Sequence, residues 1–426
     1  MKTPFDTGKS LAGSVFKSLK TALPDSVGGL NPRKKPQIDI ELLAKHVILP
    51  SLPVTDEEMA RAAHQDRGQK LARQENWEEL SDQIQYAEDC RLSTPGGESA
   101  AMLLAFGARS DVVAVTEDAL YDEADPSMEG INALEEMLAE NYGDYACALV
   151  TALAHIDIGW AWRNTAPEED GSGHLLKFKE HFKRAEDILG TFDGVELDAP
   201  SLAAAQCALL ASRRQPGNRV ADDYETLIDL DPDCPRHMRA LGQHLLPAYY
   251  GDHKRLELEA RRTAARTGDI WGAGAYTWVY FDALALDTGA IDLLDCDFFI
   301  EGMKDILMRR SDQHVTNLLA SFCAITMSPE AKGAKDLSAS ARTTRQQLHQ
   351  FLDYILTCHL QELHPLIWSQ TLLSPGLTPP LPSRRALVAK GRQTALRVIA
   401  ERFADDIANG YSIAFSTAGM YRLPSL

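Results

Sequence analysis

The stretch from Pro200 to Gly268 reads as two consecutive helix–turn–helix units, one of about 33 residues and one of about 36. Each such unit exposes an apolar face that only a neighbouring unit can bury, so a repeat of this length directs the chain towards an α-solenoid. The first unit opens at Asp198–Pro200–Ser201 with the Ala-rich helix SLAAAQCALLASRR. It turns at Pro216–Gly217–Asn218 and continues as VADDYETLIDL, closed by Asp231–Pro232. The second begins at PRHMRALGQHLL, turns at Tyr250–Gly251–Asp252, and runs through HKRLELEARRTAART to Gly268.

Helix start signals extend the pattern in both directions. Thr55-x-x-Glu58 is a capping box predicting a helix to about Gln74, and Asn76 with Glu79 predicts the next. Thr94–Pro95, with Glu98 behind it, predicts another start. Further helices are expected at 112–124, 127–141, 144–163 and 175–189. After Gly268 they are expected at 271–287, 297–310, 312–327 and 336–360. The turn-rich SPGLTPPLPS (374–383) precedes a basic helix with a Leu387, Val388, Leu396, Ile399 and Phe403 stripe, and residues 411–426 stay unassigned. No segment sustains two-residue alternation, so essentially no β-sheet is predicted. The expected fold class is all-α: an α-solenoid of antiparallel helix pairs with a flexible basic N-terminal arm and a C-terminal capping helix. The expected divisions are 1–37 for the arm, 38–166 for an N-terminal helical half, 174–373 for the repeats and 384–410 for the cap.

Within the repeats, Tyr224 stands mid-helix and Pro232 closes that helix eight residues on, and Leu241–Gly242 form a pair in the next helix. On these residues the chain resembles the tetratricopeptide-like (TPR-like) helical repeat superfamily, clearest over 200–268. It departs from the family pattern at Ala204 and Ala211, where the pattern has Trp and Tyr, and in the longer PAYYG turn. The resemblance implies a scaffold or adaptor that holds a protein or peptide partner on its repeat surface.

Charge and cysteine usage narrow the function classes. The net charge is −18, which disfavours nucleic acid as a partner. Residues 1–37 carry seven Lys/Arg against two acids, while no Lys or Arg falls between Arg109 and Arg163, where twelve acids do. That acidic run reads as a solvated surface or as a docking face for a basic partner. In the arm, Leu11, Val15, Phe16, Leu19 and Leu23 share one helical face, suited to capping the first repeat, docking on a partner or lying on a membrane. The longest apolar run, Ala146 to Trp162, is broken by His155 and Asp157, so a membrane span is not expected. Seven dispersed cysteines without a Cys-x-x-Cys pair fit a reducing cytoplasm.

The candidate partner-binding residues are Trp160, Trp162, Arg163, Tyr249, Tyr250, Trp271 and Trp278. Aromatics beside an arginine are the chemistry of interaction hot spots, and Gly272 and Gly274 allow close approach in WGAGAYTWVYFDAL. Buried helix packing is the competing reading for each tryptophan. His237, His244 and His253, with Asp233 and Asp252, form the nearest thing to a metal set. His237 and His244 are seven residues apart on one helix, however, roughly 10 Å by the helical rise, too far for one ion. His155 and Asp157, two apart on a helix, point in different directions. Gly8–Lys9–Ser10 lacks the preceding glycine of a phosphate loop, since Thr3 stands there, and no Gly-x-Ser-x-Gly occurs. No cofactor, metal or catalytic set is therefore predicted. An enzyme with a site between helical layers is the alternative, with histidines 155, 237, 244 and 253 as its candidate participants, and a membrane-associated module through residues 9–23 is a further one.

Overall fold

A computed structural model describes residues 40–167, 171–213, 217, 219–373 and 382–424. The basic arm lies outside the described residues. The chain is mostly helical, 71 % helix and 5 % strand, with many packed helix pairs. It divides into two compact units, one made of 1–53 with 310–426 and the other of 54–309. The stretch 174–373 is shared between the two.

The 54–309 unit follows its capping chemistry closely. Thr55 Oγ1 accepts from the Glu58 amide while Glu58 reaches back to the Thr55 amide, and the helix Asp56–Arg73 follows. Asn76 caps Trp77–Asp89. The start expected at Thr94–Pro95 is displaced: Thr94 to Gly97 form a turn, Ser99 is the cap, and one helix spans Ala100–Tyr121. The helices Asp56–Arg73 and Ala100–Tyr121 cross almost backbone to backbone. A Cβ on Gly68 would lie 2.0 Å from the Leu104 carbonyl oxygen, and one on Gly107 would lie 1.9 Å from that of Gln65.

Asp144 opens Tyr145–Asn164, which packs on Ser172–Leu189. Its buried residues form the centre of a core with Leu104, Leu134, Phe178 and Phe182. The two expected repeat units appear as Pro200–Ala208, Arg219–Leu230, Pro235–His244 and His253–Arg266. Helix Pro235–His244 packs on Gly274–Leu286 at Gly242, where a Cβ would sit 1.7 Å from the Val279 carbonyl oxygen. Thus the glycine of the Leu–Gly pair lies where these two helices approach closely. The expected 271–287 helix is broken at Gly272, whose φ of +59° ends Gly268–Trp271 before Gly274–Leu286 begins.

The other unit corrects the expectation of no sheet. Val47–Ile48, Tyr411–Ser416 and Gly419–Pro424 form a three-stranded sheet, the first pair parallel and the second a hairpin. Ile413 and Phe415 are buried on one face, and Gly419, with φ of +115°, closes the turn. The expected helix over 336–360 divides into Ala339–Gln350 and Leu352–Cys358. The expected cap is present as Arg384–Arg402 and packs on Pro365–Leu372, again through a glycine: a Cβ on Gly391 would meet the Pro365 carbonyl.

Candidate functional site

Three of the seven candidate partner-binding residues are core residues. Trp271 and Trp278 are 2 % and 1 % exposed and meet edge to face, their ring centroids 6.0 Å apart. The Trp271 indole donates to the Pro232 carbonyl at 2.7 Å. Trp160 is also buried, edge-on to Phe178 and Phe182 at 5.5 and 6.0 Å. The reason is common to all three: another helix passes over that face of theirs, and Gly159 and Gly274 hold it close.

The other four stay partly open, in two pairs from distant segments. Trp162 is half-buried, with its ring 5.0 Å from the imidazole of His174. Trp160 faces inward and Trp162 outward, the division that two residues of separation on a helix produces. Arg163 lays its guanidinium over the rings of Trp160 and Phe178, at 5.2 and 4.9 Å. Among the described residues no carboxylate pairs with it. Its charge also acts on the Tyr250 hydroxyl, although burial is the larger influence and raises that group's pKa. Tyr249 and Tyr250 are half-buried, 6.5 Å apart, and rest on the buried His244 at 6.1 and 5.5 Å. Gln243 donates to the Tyr249 oxygen at 3.1 Å. Burial pushes His244 down to about 4, so this imidazole is neutral beneath the tyrosines. Trp162 beside Arg163, and Tyr249 beside Tyr250, are thus two part-exposed pairs; the first can offer a ring to an apolar group and a forked donor to an anion.

The histidines weighed as a metal set, and set aside on their spacing, have separate partners. His244 sits among tyrosines, and His253 pairs with Asp287 at 2.8 Å. His155 contacts Glu135 and His181, both at 2.8 Å, while Asp157 holds Arg109 at 2.6 Å, so these two diverge as their spacing requires. Several acids of the 110–162 run are paired within the chain in this way, Asp111 with Arg73 and Glu135 with Arg184 among them.

A different set does converge. One ligating atom each from Asp231, Cys234 and His237 lie within 4.8 Å of one another. Asp231 follows the helix Arg219–Leu230, and Cys234 is the residue before Pro235–His244. His237 lies one turn into that helix, so Cys234 and His237 share a face. The His237 Nε2 to Asp231 Oδ2 distance is 3.2 Å, and the Cys234 thiol donates to the Gly97 carbonyl at 3.2 Å. Burial favours neutral His237, but the Cys234 sulfur and the Asp231 carboxylate outweigh it and push the imidazole up to about 10. The turn that carries Gly97 is itself pinned. Glu57 accepts from the Gly96 amide at 2.6 Å, and Glu98 pairs with Arg61 and with Arg236. Gly97 has φ of +76°, and a Cβ there would press on Pro235. The signal for this set, Asp-x-x-Cys-x-x-His, stands in the sequence. It went unread because His237 was grouped with histidines on its own helix face rather than with the turn before it.

Comparison with protein-family models, with curated proteins and with solved structures gave no match. Among the described residues no helix is long and apolar enough to cross a membrane.

Proposed function

We propose that the protein is a helical-repeat scaffold or adaptor that binds a protein or peptide partner through the surface formed by Trp162, Arg163, Tyr249 and Tyr250. In this reading the helix pairs of residues 54–309 are TPR-like layers stacked as an α-solenoid, and glycines such as Gly242 set the spacing between layers. The observation that carries it is that Arg163, part-exposed beside Trp162 and with no carboxylate partner among the described residues, acts through its charge on part-exposed Tyr250 of a remote segment. Aromatic rings offer contact area at low entropic cost, and a stacked arginine is a ready anion receptor. The matching partner segment presents a carboxylate next to an apolar side chain. Histidines 155, 237, 244 and 253, the candidate participants of the alternative enzyme reading, do not share a site, and this favours the scaffold.

The test is quantitative affinity purification from native lysate with the wild-type chain, Trp162→Ala and Arg163→Glu. The expected result is a stoichiometric partner reduced at least tenfold by either substitution. A partner retained equally by all three, or none with the wild type, removes the proposal.

A further inference from the structure

We propose that Asp231, Cys234 and His237 bind one zinc ion, with a water or a small ligand completing its coordination from the adjoining cavity.

The donor set is the first argument. A thiolate, an imidazole nitrogen and a carboxylate oxygen together suit zinc, which takes sulfur, nitrogen and oxygen in a tetrahedron. Hard cations such as magnesium and calcium take oxygen only, and this set supplies one carboxylate. Spacing is the second. Zinc–ligand bonds of about 2.0–2.3 Å place tetrahedral ligands about 3.3–3.8 Å apart. His237 Nε2 and Asp231 Oδ2 are already 3.2 Å apart, and all three atoms fall within 4.8 Å. Binding therefore asks for rotamer adjustments of an ångström or so and no movement of the backbone.

The third argument is local rigidity. Pro232 and Pro235 bracket the turn, and the Pro232 carbonyl is held by the Trp271 indole. The Gly97 turn lies close against Pro235, where a Cβ on Gly97 would be 2.9 Å from the proline ring. A turn fixed in this way holds its ligands in place before the ion arrives, which lowers the entropic cost of binding. Fourth is access. A cavity of about 30 Å³ is lined by Arg91, Gly97, Ser99, Asp231, Asp233 and Cys234. That is enough for a water-sized ligand and too little for a peptide or a metabolite. Three protein ligands with one open position is the pattern of zinc sites that keep an exchangeable ligand, whereas closed structural sites use four. The small cavity also weighs against Cys234 as a nucleophile towards a sizeable substrate. On binding, two protons leave to solvent: the thiol loses the one it now donates to the Gly97 carbonyl, and the His237 imidazolium loses the one on Nε2 that faces Asp231, so that zinc takes their places on sulfur and nitrogen.

The experiment uses the full chain, stripped with chelator and titrated with zinc, and separately with cobalt, whose thiolate charge-transfer absorption reports a sulfur ligand. The expected result is one ion per chain and a charge-transfer band. Cys234→Ser is expected to abolish the band and weaken zinc binding at least about 100-fold, beyond the loss typical of an outer-sphere partner. Asp231→Asn keeps the side-chain shape and its hydrogen bond to His237. It is expected to fold and to weaken binding by more than tenfold, so the proposal remains testable if Cys234→Ser does not fold. No uptake by the wild type overturns the proposal. So does a band unchanged in Cys234→Ser, which would place the ion on another cysteine such as exposed Cys90 or Cys358. Uptake undiminished in Asp231→Asn overturns it as well.

Discussion

Two aromatic groups of similar composition have opposite fates in this molecule. Trp271, Tyr276, Trp278 and Tyr280 are sealed under Pro235–His244 and Cys296–Arg309, with the Tyr276 and Tyr280 hydroxyls both donating to Glu257 at 2.7 and 2.8 Å. Trp162, Arg163, Tyr249 and Tyr250 remain at the surface. The residue types do not separate the groups; the neighbours do. Gly242, Gly274 and Gly302 bring helix backbones onto the first group, and no comparable approach covers the second. An aromatic run is thus a statement about burial only when the small residues of the facing helix are counted with it.

The contrast predicts its largest effect for core truncation. Trp278→Ala is expected to cost about 3–5 kcal/mol, because it removes a large buried ring and leaves a cavity. Trp162→Ala is expected to cost about 1 kcal/mol or less, since most of its partners are on one face only. Urea unfolding of both variants checks this, and equal losses would place Trp162 in the core. Gly242→Ala comes next. Its added methyl meets a backbone carbonyl and must push two helices apart, at about 2–3 kcal/mol, although alanine is the better helix former. A stabilised Gly242→Ala protein would mean that the layers are not in such close contact.

A third effect comes from what lies beneath each group. Tyr249 and Tyr250 rest on His244, and His181 is a second imidazole buried in the same unit, beside His155. Burial holds His244 at about 4, and burial with the neighbouring His155 holds His181 at about 4. An unfolded histidine has its pKa near about 6.5. Both folded values are lower, so below pH about 6.5 the unfolded chain takes up protons that the folded chain refuses. Stability is therefore full above that pH and falls as the pH drops towards 4, by about 2 kcal/mol per site between pH 7 and pH 5. Denaturation across this range should show the slope, and His244→Phe should flatten it. An unchanged slope in His181→Phe as well would remove both imidazoles from the account.

The helices of the 54–309 unit were legible because their ends are local chemistry. Thr55 with Glu58, Asn76, and Asp252, which accepts from the Lys254 and Arg255 amides, each cap with residues three positions away or fewer. The sheet was not legible. Tyr411–Ser416 buries only Ile413 and Phe415 deeply, and its parallel partner Val47–Ile48 lies at the far end of the sequence, so nothing within a short window declares the pairing. The site was legible in part for the same reason. Trp162, Arg163, Tyr249 and Tyr250 could be named as residue types, but their part exposure and the reach of Arg163's charge to Tyr250 are long-range facts. So is the covering of Trp271 and Trp278. The Asp231, Cys234 and His237 set is the reverse case: it is local, but it spans a turn, and a search along one helix face passes over it.

The smallest stability effect is the most informative for function. Arg163 stacks on Trp160 and Phe178 from the solvent side, and such contacts contribute about 0.5–1 kcal/mol at exposed positions. Arg163→Ala should therefore lower stability by no more than about 1 kcal/mol in urea unfolding, and Arg163→Lys by less. If Arg163 serves only to cover the two rings, lysine, with its long aliphatic stem, should substitute for it in partner binding too. If its planar fork grips an anionic group, lysine retains the charge but loses the paired donors, and binding should fall with stability nearly unchanged. Partner affinity measured beside stability for the two variants thus separates a covering residue from a recognising one.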